Sequence, residues 1–365
     1  MTKSTMKCAE ILSLLGLAGA VLAGCDKHET QDPTEKPTAS DAGASKVADD
    51  PELGRAMASV AAAKPVDDAS GNGSADGPPA TGIFSPGAAD KAMPKGSPAL
   101  VTLGSDGSAP RVQLGPNPKP GSKRTGSIEV ATQADPRQGA IPISLALSIE
   151  AQKPKTEGDA GAPSALPMVA KITNATINAP GVPAEIASSV AKLKGSHVDY
   201  VLSADGAGSA FHAELSKGVD PAFKDALNSL SDTLMVLTIP FPSKPVGAGA
   251  FWMVTTRDTV TGLDVVTYRM VKVEKIEGTQ VVLNLGTKRY ASSSAFDVAG
   301  LPPDAPHVMS EFHADTNGNL IVGAGESFPK SGQLDSVFAA ALGAADPATK
   351  QRPMVQLQTR ATVAF

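Results

Sequence analysis

Two histidines precede a carboxylate by two positions, each in a stretch whose apolar and polar residues alternate. They are His212, followed by Glu214, and His313, followed by Asp315. Because successive side chains of a β-strand point to opposite faces, residues two apart share a face, so an imidazole lies beside a carboxylate. Such a pair can serve as a general base or hold a metal ion. Polar cross-strand pairs on a solvated sheet face explain the same spacing equally well.

A second chemical pattern begins at Ser189, which precedes Lys192 by three positions on a predicted helix. Together with residues Ser231–Thr233 and Lys330–Gly332, it resembles the S-x-x-K, S-x-N and K-[ST]-G elements of serine penicillin-recognising enzymes. That resemblance implies a serine nucleophile assisted by the lysine. Thr233 replaces the required asparagine, and the third element precedes a predicted helix, so an ordinary solvated helix face is the alternative interpretation.

The single tryptophan, Trp252, ends a stretch rich in proline and glycine that starts at Ile239. Prolines fix extended backbone and glycines permit turns, so this stretch is predicted to cross between two parts of the chain. Its Gly247-x-Gly249 is followed by a predicted strand, which excludes a dinucleotide-binding turn. Trp252 is predicted to anchor the next strand in the core, and it is also a candidate for facing a ligand.

The first 24 residues are predicted to be a lipoprotein signal peptide. Lys3 and Lys7 precede the apolar run Ile11–Ala23, whose 13 residues are fewer than the roughly 20 that a membrane-spanning helix needs. The run leads into Leu22–Cys25, which resembles the bacterial lipobox. The resemblance implies a diacylglyceryl thioether on Cys25, and several acyl chains, palmitate among them, would anchor the protein stably. An ordinary cleaved signal with a chance cysteine is the alternative.

Residues 25–96 are predicted to be the lipidated cysteine followed by a disordered tether, because they are rich in small and polar residues and contain one aromatic, Phe84. The net charge of −5 is too small to indicate a nucleic-acid partner. Cys8 and Cys25 are the only cysteines, so the remaining chain can build neither a disulfide nor a thiolate metal site. No metal and no cofactor is predicted.

The folded body is predicted to be an α+β fold, mainly antiparallel β-sheet with a few short helices. Its elements fall into two series, residues 97–245 and 246–365, which we interpret as two halves that repeat one plan. Chance coincidence of common turns and helix faces is the alternative. Helices are predicted at 183–194, 219–232 and 333–343, a strand at 234–240, and a hairpin at 307–314 and 319–327.

The lipobox, the tether, the strand that ends at Pro110–Leu114 and the Pro242–Trp252 stretch together resemble a group of uncharacterised bacterial lipoproteins of β-rich build. The resemblance implies a lipid-anchored protein of the cell envelope, facing the periplasm or the exterior, with no known activity. A groove between sheet and helices would bind a lipid, another apolar ligand or an envelope component without chemistry. Two alternatives stay open: a structural or protein-interaction module of the envelope, and a hydrolase that uses Ser189 and Lys192.

Overall fold

The computed structural model describes residues 79–133, 140–153, 165–177, 179–260, 262–296, 307–326, 328–343 and 354–365. Strands make up 55% of the structure and helices 11%. The predicted class, mainly antiparallel sheet with a few short helices, is therefore confirmed. The predicted signal peptide, Cys25 and most of the predicted tether lie outside the described residues.

Twelve strands are found in the described part of the chain. They are β1 (Leu100–Ser105), β2 (Lys123–Gln133), β3 (Ile141–Ala151), β4 (Ala165–Ile177), β5 (His197–Ser203), β6 (Gly208–Glu214), β7 (Phe251–Val260), β8 (Leu263–Glu277), β9 (Gln280–Ala291), β10 (Met309–Gly323), β11 (Ser331–Leu342) and β12 (Met354–Ala364). The helices are α1 (Ala88–Ala92), α2 (Ala184–Ala191) and α3 (Lys224–Leu237), which follows a single 3-10 turn, Pro221–Phe223. None of these helices is long and apolar enough to cross a membrane.

All twelve strands belong to one sheet, in the order β1-β7-β8-β9-β10-β11-β12-β2-β3-β4-β5-β6. Neighbouring strands are antiparallel, and most of them are consecutive in the chain, as short connections favour. The exceptions are β1 with β7 and β12 with β2, where Val363 lies opposite Ile128. Residues 97–245 and 246–365 therefore contribute to a single sheet.

The inner face of the sheet is apolar, because buried residues alternate with exposed ones along most strands. Helix α3 packs on this face through four leucines that are at most 1% exposed: Leu227, Leu230, Leu234 and Leu237. The helix contacts β6 at one edge of the sheet. Near the opposite edge, Arg269 of β8 donates hydrogen bonds to its Met235 carbonyl and to the Thr238 carbonyl beyond its last turn. The sheet therefore curves around α3.

Residues 79–96 pack on the outer face of the sheet, although the sequence placed them in the tether. The Phe84 N–H donates a 2.9 Å hydrogen bond to the last residue of β9. Phe84, Ala89 of α1 and Met93 form an apolar cluster with Val266 of β8. The folded body thus begins before residue 97, because the outer face of the sheet lets these three apolar side chains become buried.

Three local predictions are wrong. Residues 309–323 form the single strand β10 instead of a hairpin, and 333–343 lie mostly in strand β11 instead of a helix. The predicted strand at 234–240 overlaps the end of α3. Strand β10 is hydrogen-bonded on both sides, to β9 and β11, and this ladder overrides the turn preference of Asn317-Gly318. The internal repeat is not confirmed, because the second hairpin and helix that matched the first half do not form.

Candidate functional site

The predicted histidine–carboxylate pairs lie on the outer face of the sheet. His313 Nε2 is 3.2 Å from the Asp315 carboxylate, and the histidine side chain is 61% exposed. On β6, His212 and Glu214 are both exposed. There Nε2 of His197, on β5, lies 3.7 Å from the Glu214 carboxylate and 3.6 Å from the Asp199 carboxylate. Within the described residues no group of three or more His, Cys, Asp or Glu side chains is placed to hold a metal ion.

The serine–lysine pattern is spread over three elements. Ser189 lies on α2, and Lys192 follows the helix with an exposed side chain. Ser231 is buried within α3, while Lys330 Nζ forms an ion pair with Glu326 at 3.2 Å. In the part of the chain that the structure describes, Ser189 makes no side-chain hydrogen bond to Lys192, Ser231 or Lys330, so this pattern gives no hydrogen-bonded nucleophile and base.

Trp252 is completely buried, and its one polar atom is already used. Its Nε1–H donates a 2.9 Å hydrogen bond to the Pro240 carbonyl, and its ring lies 6.1 Å from the ring of Phe241. Trp252 thus holds the crossover at 240–241 against β7, which is the anchoring role predicted for it. It has no polar atom left for a ligand, but its neighbour Phe241 lines a groove.

This groove, of about 560 Å³, lies where the two edges of the sheet approach each other. We call it the seam groove. Strand β1 forms one wall, and the β5–β6 turn with residues 241–244 forms the other. The lining side chains are mostly apolar: Ala99, Val101, Leu103, Leu114, Phe241 and Pro242, with Gln113, Asp205, Ser243 and Lys244 as the polar ones. Among the strands of the described residues, β1 ends the sheet and pairs on one edge only, with β7.

The space between sheet and helices, where the sequence predicted a ligand groove, is largely filled. A cavity bounded by α3 and strands β2 to β4 has a volume of only about 30 Å³. That volume holds roughly one water molecule. The leucines of α3 occupy the remainder, so the larger apolar opening is the seam groove.

A row of polar side chains crosses the inner face at right angles to the strands. Its members lie directly opposite one another on successive strands from β8 to β2, in the order Arg269, Thr287, Thr316, Ser336, Thr359 and Thr132. Thr267 and Arg289, which also face each other, lie beside the row. We call these eight residues the polar belt. The Thr316 and Ser336 hydroxyls are hydrogen-bonded at 3.0 Å.

The polar belt separates two apolar clusters. The first surrounds α3 and includes Val271, Leu285 and Leu334 on one side of the belt. The second lies on the other side and includes Phe296, Phe312 and Leu342. An otherwise apolar interior therefore holds a band of hydroxyls and two guanidinium groups.

Burial strongly perturbs the two arginines of the polar belt. Arg269 is 4% exposed, and burial, followed by repulsion from Arg289, lowers its pKa to about 10. Burial also lowers the pKa of Arg289, against the attraction of Asp232, Asp258 and Asp315. Four buried atoms of the belt have no hydrogen-bond partner among the described residues: Nε of both arginines and Oγ1 of Thr267 and Thr287.

The sequence carries a signal for this site that lies outside its recognisable motifs. Thr267-x-Arg269 on β8 and Thr287-x-Arg289 on β9 repeat one pattern within otherwise apolar, alternating stretches. Antiparallel pairing places each arginine opposite the threonine of the other strand. Arginine at a position that alternation assigns to the core is the feature that marks the site.

Comparison with known proteins adds no relative. No protein-family model matches the chain, and no curated protein matches it either. Function is therefore inferred from the chain's own residues and geometry.

Proposed function

We propose that the protein is a non-catalytic, lipid-anchored protein of the bacterial cell envelope that binds an apolar ligand in the seam groove. The observation that carries the proposal is the groove itself. Its volume of about 560 Å³ lies within the range of roughly 300–1,000 Å³ typical of small-ligand sites. Its lining is mostly apolar, as in most such sites.

The anchor is inferred from the N-terminal sequence. An apolar run too short to span a bilayer leads into the lipobox-like residues Leu22–Cys25. Lipidation of Cys25 would attach the folded body to a membrane through a long chain of small and polar residues. A ligand taken from that membrane would be an acyl chain.

An acyl chain fits the chemistry of the seam groove. Transfer of each methylene group from water to apolar surroundings is worth about 0.8 kcal/mol. Val101 and Leu103 of β1, with Ala99 just before the strand, present alternate side chains to the groove, and Phe241 and Pro242 face them. A hydrocarbon chain lying along β1 gains this free energy without needing a charged partner.

Tryptophan fluorescence tests the proposal, because Trp252 is the single tryptophan and touches the ring of Phe241. We expect a brominated phospholipid to quench Trp252 of the mature full-length protein in a saturable way. Native mass spectrometry of protein taken from the expressing cell should show a bound lipid in stoichiometric amount. Quenching that never saturates, together with a clean ligand-free mass, would contradict the proposal.

Two neighbouring residues of the chain provide a matched pair of variants. Ala99→Phe places a large side chain in the seam groove, whereas Leu100→Phe enlarges a side chain that is 56% exposed outside it. We expect the first variant to weaken ligand binding, as measured by the quenching titration, by about tenfold. This corresponds to the loss of roughly two buried methylene groups of the ligand. The second should bind as wild type does. Equal binding by both variants would place the ligand elsewhere.

Protein interaction is a second candidate, because the unpaired edge of β1 can accept an extended peptide as an additional strand. The exposed Leu100 beside this edge adds an apolar contact. A photo-reactive amino acid at position 100 tests this in living cells. Cross-linking to one defined envelope protein, with no quenching by brominated lipid, would favour the peptide over the acyl chain.

A further inference from the structure

The two arginines of the polar belt have different surroundings. Both terminal nitrogens of Arg269 donate 3.1 Å hydrogen bonds, one to the Thr238 carbonyl and one to the Met235 carbonyl. Arg269 therefore holds the end of α3. None of the ion pairs within 4.0 Å among described residues includes Arg289, and its Nε is buried without a hydrogen-bond partner. The structural role of Arg269 is therefore accounted for, and that of Arg289 is not.

Arg289 points into the interior but is not sealed. It lies on the inner face, opposite Thr267 and next to Ala314 of β10. The protein surrounds it closely enough for burial to lower its pKa, yet it retains some accessible surface. Its charge therefore lies in a region where solvent screening is weak.

Three further polar atoms without a partner among the described residues lie in the same two cross-strand pairs as Arg289. The hydroxyl oxygens of Thr267 and Thr287 are buried without a hydrogen-bond partner, and both residues are at most 3% exposed. The Nε of Arg269 is also buried without a hydrogen-bond partner among the described residues. Buried polar atoms in native proteins nearly always have a partner, so four such atoms within two cross-strand pairs indicate a missing one.

The charges around Arg289 are mixed. Asp232 of α3, Asp258 of β7 and Asp315 of β10 attract it from a distance, and Arg269 is a second cation on the same face. A planar guanidinium offers several N–H donors in a fork that matches two oxygens of one anion. Threonine hydroxyls can donate to the same anion.

We propose that Arg289, together with Thr267 and Thr287, binds an oxyanion inside the sheet, namely the carboxylate or phosphate group of a ligand. Ala314, a member of the second apolar cluster, lies directly opposite Arg289, so the apolar part of such a ligand would lie against that cluster. The site is separate from the seam groove, because no residue of the polar belt lines that groove.

Replacement of Arg289 by methionine distinguishes binding from a structural role. If Arg289 serves ligand binding, its buried and poorly compensated charge lowers the stability of the ligand-free protein. An apolar side chain of similar size removes that cost. We therefore expect Arg289→Met to unfold at the same temperature as wild type or higher, in the absence of anions. A large fall in melting temperature, with anion binding unchanged, would overturn the proposal.

Three probes define the ligand, each added to the mature full-length protein. We expect inorganic phosphate or dodecanoate to raise the melting temperature of wild type, and the rise should vanish in Arg289→Met. Dodecanol, which has the same chain and no charge, should act equally on both proteins. If both phosphate and dodecanoate raise the melting temperature through Arg289, the ligand is a free oxyanion. If only dodecanoate does, the ligand is the head group of an amphiphile.

Two further variants make the test specific. Arg360→Met removes the same charge from the outer face, where the side chain is 64% exposed, and should leave anion binding unchanged. Arg289→Lys keeps the charge but loses the planar fork, and should bind the anion about tenfold more weakly. The proposal fails if neither anion stabilises wild type, or if Arg289→Lys binds as tightly as wild type.

Discussion

The outer and inner faces of the sheet treat charged side chains differently. On the outer face, Arg360 Nε lies 2.6 Å from the Asp335 carboxylate, and both side chains are at least half exposed. On the inner face, Arg269 is nearly inaccessible and Arg289 has a buried Nε with no partner. Water can replace a partner outside but not inside, so only the inner arrangement requires an explanation.

The comparison shows which polar residues carry information about function. Histidine–carboxylate pairs such as His313 with Asp315 satisfy each other on a solvated face. The polar belt instead interrupts two apolar clusters with groups that the fold itself only partly satisfies. In this protein the deviation from the apolar pattern points to the site, whereas the recognisable acid–base pairs do not.

The largest expected effect is on the inner face, at α3. Leu234 is completely buried in the first apolar cluster, so Leu234→Ala leaves a cavity and should lower the free energy of unfolding by about 2–5 kcal/mol. Urea unfolding followed by far-UV circular dichroism measures it. The exposed Leu100→Ala is the control and should change stability by less than about 0.5 kcal/mol. Equal losses in the two variants would mean that α3 does not hold the interior together.

Arg269→Met should separate the two arginines of the polar belt. The variant leaves the Met235 and Thr238 carbonyls without their donor, and relief of a buried charge offsets only part of this loss. We expect the free energy of unfolding to fall by about 2 kcal/mol, whereas Arg289→Met should cause no fall. The same urea titration compares them, and the opposite ranking would exchange the roles assigned to the two residues.

The least exposed ion pair of the outer face among the described residues, between Arg257 and Asp264, should show a defined pH dependence. The Arg257 guanidinium donates to both oxygens of Asp264, at 2.9 and 3.0 Å, and this hydrogen bonding holds the pKa of Asp264 below its usual value of 3.8. A carboxyl with a lowered pKa stabilises the fold above its unfolded-state pKa, and this contribution is lost as the pH falls through the folded-state value.

Asp264→Asn should therefore reduce the free energy of unfolding by about 1 kcal/mol at neutral pH. The difference from wild type should shrink as the pH falls below 3.8. Unfolding titrations across this range measure it. A difference that stays constant with pH would show that the amide disturbs packing and that the charge of Asp264 contributes little.

The smallest expected effect is that of Arg360→Ala. Because both partners of this ion pair are at least half exposed, solvent screens their attraction. We expect a change in the free energy of unfolding below about 0.5 kcal/mol, with high salt having little influence on it. A larger loss would show that charges on the outer face contribute more than their exposure implies.

Much of the fold was predictable from residue alternation. Alternation predicts a closing strand at 353–365 and an apolar run predicts a strand at 140–150, and β12 and β3 lie within one or two residues of these bounds. Strand β11 was not predictable, because Phe338 and the alanines after it fit a helix face as well as a strand. Its conformation is decided by pairing with β10 and β12, and these contacts cannot be inferred from the residues of β11 alone.

The polar belt was predictable only in part. The repeated Thr-x-Arg pattern of Thr267–Arg269 and Thr287–Arg289 is visible in the sequence. Whether these residues face inward depends on strand register, since a shift by one residue moves every side chain to the other face. The seam groove depends on which strands end the sheet, and that order follows from the distant pairs β1–β7 and β12–β2.

The pairing of β2 with β12 also governs how the chain reaches its folded state. Val130 lies opposite Ala361, so the ladder closes a loop that contains most of the body. Contacts between such distant residues form slowly, and β2 stays without this partner until the last strand has been synthesised. During that interval β2 and β11 each expose an unpaired strand edge. Such edges promote aggregation of incompletely folded chains. Strand β12 therefore completes the sheet by joining β11 to β2 in the middle of the strand order.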